Sequence, residues 1–148
     1  MRNFNDGCRK GICASFGYAP QAVNTIATGG VVPFNTVIAN ASRNRCCDFD
    51  IKLNTGTGDI FIREEGTYQF AVRLDVPAVA DTYIVLTTGN GLAATASIYT
   101  VAGEVVFDLP IKRDSVIKVV IGGTGPVVFT PGTNLGINMA VISVMKVL

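Results

Sequence analysis

The sequence predicts an all-β domain, two antiparallel sheets packed as a sandwich behind an irregular N-terminal arm. Three observations carry that expectation. From about residue 20 onward Thr, Val, Ile, Phe and Tyr dominate, with Gly, Pro, Asn and Asp breaking the chain roughly every 8 to 12 residues. The segment Thr67 to Val76 alternates strictly between two faces, one of them wholly apolar. No stretch of about ten residues or more shows helical spacing with caps.

Residues 1–20 stand apart. They hold two of the four cysteines, glycines at 7, 11 and 17, and little periodicity, so they are expected to form the arm. Residues 21–148 form the sandwich, with no internal repeat and no second domain. Phe49, Ile51 and Leu53 alternate against Asp48, Asp50 and Lys52. The run Thr55-Gly56-Thr57-Gly58 turns the chain into Ile60-Phe61-Ile62. In Thr67–Val76, Tyr68, Phe70, Val72, Leu74 and Val76 share one face, and Pro77 ends the strand because proline lacks a ladder donor. Further strands are expected at Thr82–Thr87, Thr95–Val101, Glu104–Leu109, Ser115–Ile121, Val127–Thr130 and Gly136–Val147.

Two late strands are apolar on both faces. In Ser115–Ile121, Ile117, Val119 and Ile121 oppose Val116, Lys118 and Val120. In Gly136–Val147, Met139, Val141, Met145 and Val147 oppose Ala140, Ile142 and Val144. A sandwich core covers one face of a strand, so the other is expected to meet another subunit, the alternative being a covering loop or arm of the same chain. Val116, Val120, Ala140, Ile142 and Val144 are the interface candidates. Composition agrees. Apolar residues make up 49% of the 148-residue chain and charged residues only 16%, too few to cover its surface.

Chemistry is limited by what is missing. Without histidine there is no Ser-His or Cys-His pair, no usual neutral-pH base and no commonest metal ligand. No phosphate-cradling glycine loop with lysine is present, and Gly122-Gly123-Thr124-Gly125 reads as a turn. Asp48 with Asp50, and Glu64 with Glu65, are expected to be solvated surface charges. They are too few for calcium, which takes roughly 6–8 oxygen ligands. Cys8, Cys13, Cys46 and Cys47 lack the paired spacing of a zinc site. No cofactor, metal or catalytic residue is expected, and the protein is read as a non-enzyme.

Net charge is +1, so no nucleic-acid partner is expected. No run of about 20 apolar residues would cross a membrane as a helix, and the polar segment after Met1 does not read as a secretory leader. A soluble protein made in a cytosol follows, with reduced thiols as the default. Oxidation after release from a cell is the alternative, in which an arm cysteine could bridge to a neighbouring subunit.

Three stretches resemble the tumour necrosis factor-like jelly roll, the fold also used by complement-type globular heads. They are Val31-Val32-Pro33-Phe34-Asn35-Thr36-Val37, the run Ile60 to Val72 with its charged turn and Gly66-Thr67-Tyr68, and the closing apolar strand. The resemblance covers about residues 22–148, and bacterial and phage members look most alike. It implies a tight homotrimer and a binding or display role without enzyme activity. No collagen-like repeat precedes the head, and a short arm before a trimeric head suits a virion component. The expected function is therefore a capsid-attached head fibre or decoration protein on the virion surface.

In that reading the arm docks on the major capsid protein or another virion protein, and Phe4, Cys8, Arg9, Lys10, Ile12 and Cys13 are the anchor candidates. The alternative is a receptor- or glycan-binding head of a tail fibre or spore-surface protein. It would meet a host cell-surface glycan through the loops Thr88–Ala93 and Gly122–Gly125.

Overall fold

The structure, a computed structural model, describes residues 12–42, 49–88, 93–97, 104–134 and 136–147, the segment 93–97 by its backbone. Twelve strands occur among them. These are β1 (Cys13–Tyr18), β2 (Asn24–Ile26), β3 (Thr36–Asn40), β4 (Ile51–Leu53), β5 (Ile60–Ile62) and β6 (Gly66–Leu74), followed by β7 (Thr82–Thr88), β8 (Ala93–Ser97), β9 (Glu104–Ile111), β10 (Ser115–Gly123), β11 (Val127–Phe129) and β12 (Ala140–Lys146). A front sheet runs β3-β1-β12-β6-β9 and a back sheet runs β4-β5-β10-β7-β8. The short pair β11-β2 closes one end.

Every strand pairing is antiparallel, and many neighbours in a sheet are distant in sequence, so the chain crosses repeatedly between layers. That is a jelly-roll sandwich. The expectation for fold class and for alternation in Thr67–Val76 holds.

The core lies between the sheets and follows the period-two rule. The front sheet contributes Phe16, Tyr68, Phe70, Val72, Ile142 and Val144. The back sheet contributes Ile60, Ile84, Leu86, Ile117 and Val119. Register stacks these side chains into rows, with Phe70 lying between Val144 and Phe107. At the closed end, Tyr18 meets Phe129 edge-on at 5.2 Å, and Asn24 donates to the tyrosine hydroxyl at 2.8 Å. Asn40 donates to the Ile51 carbonyl at 2.7 Å, which ties β3 to β4.

Three sequence expectations need correction. First, the irregular arm does not reach residue 20. Residues 13–18 form β1, an inner strand of the front sheet paired on both sides. Its core positions Ala14, Phe16 and Tyr18 alternate as a strand requires. The outward Cys13, Ser15 and Gly17 are small, which hid the pattern. Second, the strand expected to begin at Thr95 begins earlier, because β8 spans Ala93–Ser97.

Asp50 is the third correction. It is buried at 5% exposure, not solvated, and Arg63 Nε lies 3.1 Å from its Oδ1. The residue precedes β4, where the backbone leaves the strand alternation, so both Asp50 and Ile51 are buried. Asp48 lies outside the described residues.

Tyr68 is wholly buried and donates its hydroxyl to the Glu64 carbonyl at 2.7 Å. Burial, reinforced by the Glu64 and Asp50 charges, pushes its pKa well above its usual value near 10. The folded chain therefore holds this proton to higher pH than the unfolded chain. The associated stability is complete below about pH 10 and is lost as pH rises further. Alkaline unfolding followed by circular dichroism should begin above that point. Tyr68→Phe should flatten this dependence while costing about 1 kcal/mol at neutral pH through the lost hydrogen bond.

Candidate assembly face

Alternation decides which side chains the front sheet turns away from the core. On β1 these are Cys13, Ser15 and Gly17, and on β12 they are Val141, Ser143 and Met145. On β6 they are Gln69, Ala71 and Arg73, and on β9 they include Glu104, Val106 and Asp108. Pairing register sets them in rows. The middle row runs Ala39, Ser15, Ser143, Ala71, Val106 across all five strands. At about 4.8 Å between strands it spans roughly 19 Å. No member is charged, and the Ser15 and Ser143 hydroxyls face each other at 3.3 Å.

The flanking rows continue this character. One holds Gly17, Val141, Arg73 and Glu104, the other Cys13, Met145, Gln69 and Asp108, so charge is confined to the β6–β9 side. Gly17 has a structural reason. A Cβ there would run into the Asn138 side chain, which lies directly over the strand. Val37 and Ile38 on the β3 edge and Val106 on the β9 edge are about half exposed, at 52%, 47% and 51%. Within the single chain the β1 end of this face is already covered, with Cys13 and Ser15 buried and Met145 only 7% exposed, whereas Ser143 and Ala71 are half-buried and Val106 is exposed, so the part open to a partner lies over β12, β6 and β9.

The sequence-predicted interface residues do not form one surface. Ala140, Ile142 and Val144 are buried in the core, opposite Leu74, Val72 and Phe70. Both faces of this strand are apolar, so periodicity alone could not tell inside from outside, and the expectation took the wrong one. Val116 and Val120 do face outward, but on the back sheet, on the opposite side of the domain.

Of the anchor candidates, Phe4, Cys8, Arg9 and Lys10 lie outside the described residues. Ile12 is partly buried against the core, and Cys13 is wholly buried and so is not available to dock on another protein. Cys13 is disulfide-bonded within the chain, which corrects the expectation of reduced thiols. The remaining cysteines, at 8, 46 and 47, lie outside the described residues.

The Gly122–Gly125 loop is closed on itself. Thr124 donates to the Ala80 carbonyl at 3.0 Å, Gly125 N–H to Thr82 Oγ1 at 2.9 Å, and Thr28 Oγ1 to the Gly123 carbonyl at 2.9 Å. Gly123 has φ +81 and a Cβ would meet the Asp81 carbonyl, so the turn requires glycine. The Thr88–Ala93 loop lies largely outside the described residues. Among the described residues, no cluster of three or more cysteine, aspartate or glutamate side chains could hold a metal ion.

No family model matches the sequence, and no curated protein matches it. Solved structures do match the chain. Eiger, a tumour necrosis factor from S. frugiperda, aligns over 93% of this chain and 92% of its own, at 15% identity and a TM-score of 0.54. The globular domain of the zebrafish complement 1qA protein aligns over 93% and 96%, at 11% identity and a TM-score of 0.53. The fold is that of the tumour necrosis factor and complement-type heads. Murine APRIL agrees, over 91% and 99%, at 13% identity and a TM-score of 0.53. These identities establish the jelly-roll head as a fold. Within that head the front sheet carries the uncharged face.

Proposed function

We propose that this jelly-roll head is a non-enzymatic assembly and display module that works as a homotrimer joined through the outer face of its front sheet. The uncharged middle row, Ala39, Ser15, Ser143, Ala71 and Val106, carries the proposal. Ser15 is already buried in the single chain, but Ala39, Ser143, Ala71 and Val106 are at least partly exposed, their side chains are small or apolar, and no charge needs to be stripped of water on contact. The exposed apolar edges favour a ring. Val37 and Ile38 on one side are unlike Val106 on the other, which fits a head-to-tail contact that closes by rotation. A two-fold dimer would pair like with like and leave one edge in water. The tumour necrosis factor-like resemblance supports closure at three. Light scattering on the purified chain should give three times 15.6 kDa, and a monomer at micromolar concentration would refute the assembly.

The finer reading is a capsid-attached fibre or decoration head on a virion, held by the residues ahead of β1. Cys13 pairs with Met145, so the chain enters β1 and leaves β12 at the same end of the domain. An attachment segment at that end leaves the far end, with the Asp75–Asp81 and Gly122–Gly125 turns, pointing away. Arg9→Glu with Lys10→Glu should abolish co-sedimentation with purified virions of the source while the trimer mass persists. Unchanged co-sedimentation would remove the anchor role of this segment.

A further inference from the structure

The geometry points to a saccharide-binding groove on the outer wall of the back sheet, floored by Phe61. The groove is complete within one chain, so the inference goes beyond the assembly reading and does not depend on it. Its volume is about 330 Å³, and it is lined by Lys52, Leu53, Asn54, Asp59, Phe61 and Val116. That size lies at the small-ligand end of the usual range.

Phe61 is placed there by the strand period. Ile60 and Ile62 enter the core, so the ring between them turns outward. Register sets it between Lys52 on β4 and Val116 on β10. An aromatic ring on this wall fills no part of the core. Val116 beside it on β10 extends the apolar floor, while Leu53, opposite Ile60, packs towards the core and contributes only to the groove's edge.

The rim is polar and rigid. Asn54 and Asp59 bracket a tight turn. Asn54 N–H donates to the Asp59 carbonyl at 2.9 Å, and Gly58 N–H donates to the Asn54 carbonyl at 2.8 Å. Gly56 N–H donates to Asn54 Oδ1 at 2.9 Å, which fixes the amide and leaves its Nδ2 hydrogens as donors. Lys118 Nζ holds the Asp59 carboxylate at 3.2 Å. This paired carboxylate is an acceptor fixed in place before any ligand arrives, and such preorganisation lowers the entropy lost on binding.

An aromatic floor ringed by both donors and acceptors matches one class of ligand best. A sugar ring has an apolar C–H face to lay on Phe61. Its hydroxyls both donate and accept, which suits the Asn54 amide and the Asp59 carboxylate. A lipid chain would strip water from the Asp59–Lys118 pair without replacing it. A nucleic-acid backbone would meet the Asp59 carboxylate.

The test is a nuclear magnetic resonance titration of the full chain with the methyl glycosides of glucose, galactose, N-acetylglucosamine and N-acetylneuraminic acid. At least one should cause saturable shifts at Asn54, Asp59 and Phe61. Phe61→Ala should weaken that response at least about tenfold, with the core signals of Ile117 and Ile142 unmoved. Should Phe61→Ala fail to fold, Val116→Glu, which fills the groove from the surface, should abolish the response. The absence of a saturable shift with all four glycosides, or shifts that persist in the folded variant, overturns the inference. Neither outcome bears on the trimer, which is read from particle mass alone.

Discussion

Ser143→Arg should lower the solution mass from three times 15.6 kDa to that of one chain, with the jelly roll still folded. Ser143 lies in the centre of the uncharged row, between Ser15 and Ala71, on the face turned away from the core. In an isolated chain Ser143 is half-buried beside the buried Ser15, and the substitution loses at least the contact between the two hydroxyls. That costs about 1 kcal/mol.

In the assembly the same charge is buried against a neighbour with no anion in its row. A buried unpaired charge costs several kcal/mol, and each 1.4 kcal/mol is about a tenfold loss in association. Three such charges enter each ring. The comparison variant is Val120→Arg, on the outer wall of the back sheet. It should leave the mass at three chains. If Val120→Arg dissociates the particle and Ser143→Arg does not, the assembly face is the back sheet and the present assignment is reversed.

How far the sequence reached can be seen strand by strand. β6 was fully legible, because Tyr68, Phe70, Val72 and Leu74 are large and apolar while Gln69 and Arg73 are polar. Contrast between faces is the signal, and here it is strong. β1 has the same alternation, but its outer residues are Cys13, Ser15 and Gly17, and its inner ones begin with Ala14. The contrast is weak, and the segment looked like an arm.

β12 fails for a different reason. With apolar side chains on both faces, only its partners decide which face is inside. Ala140, Ile142 and Val144 lie opposite the buried Leu74, Val72 and Phe70. That both faces of this strand are apolar was readable, but which of them turns to the core was not. The Phe61 groove could not be read at all. Its lining comes from β4, the turn after it, β5 and β10, and register alone brings Lys52, Phe61 and Val116 into one row. A motif in a linear sequence cannot describe such a row, because Lys52 and Phe61 lie 9 positions apart but Val116 lies 55 beyond Phe61.

The Asp50–Arg63 pair should respond unequally to the loss of its two members. Asp50 is nearly enclosed, with its side chain 7% exposed, whereas that of Arg63 is 47% exposed. The pair also sits where backbone bonds join three segments. Asp50 N–H donates to the Ser42 carbonyl and Arg63 N–H donates to the Asp50 carbonyl, both at 2.9 Å. Asp50 Oδ1 has no well-aligned hydrogen-bond donor, so the Arg63 guanidinium acts on it as a charge partner.

Arg63→Ala leaves a carboxylate enclosed beside β4 and β5 without that partner. Breaking a buried pair in this way costs about 3–5 kcal/mol, and the half-exposed arginine places the expected loss near the lower end. Asp50→Ala instead frees a guanidinium that already reaches water. Its cost should be about 1 kcal/mol, as for an exposed pair. Urea denaturation of the two variants should therefore separate them by roughly 2 kcal/mol, with similar m-values if both unfold in one step. Equal losses would mean that Asp50 acts through its backbone position rather than its charge. A larger loss for Asp50→Ala would mean that the carboxylate orders the 42–50 connection in its own right.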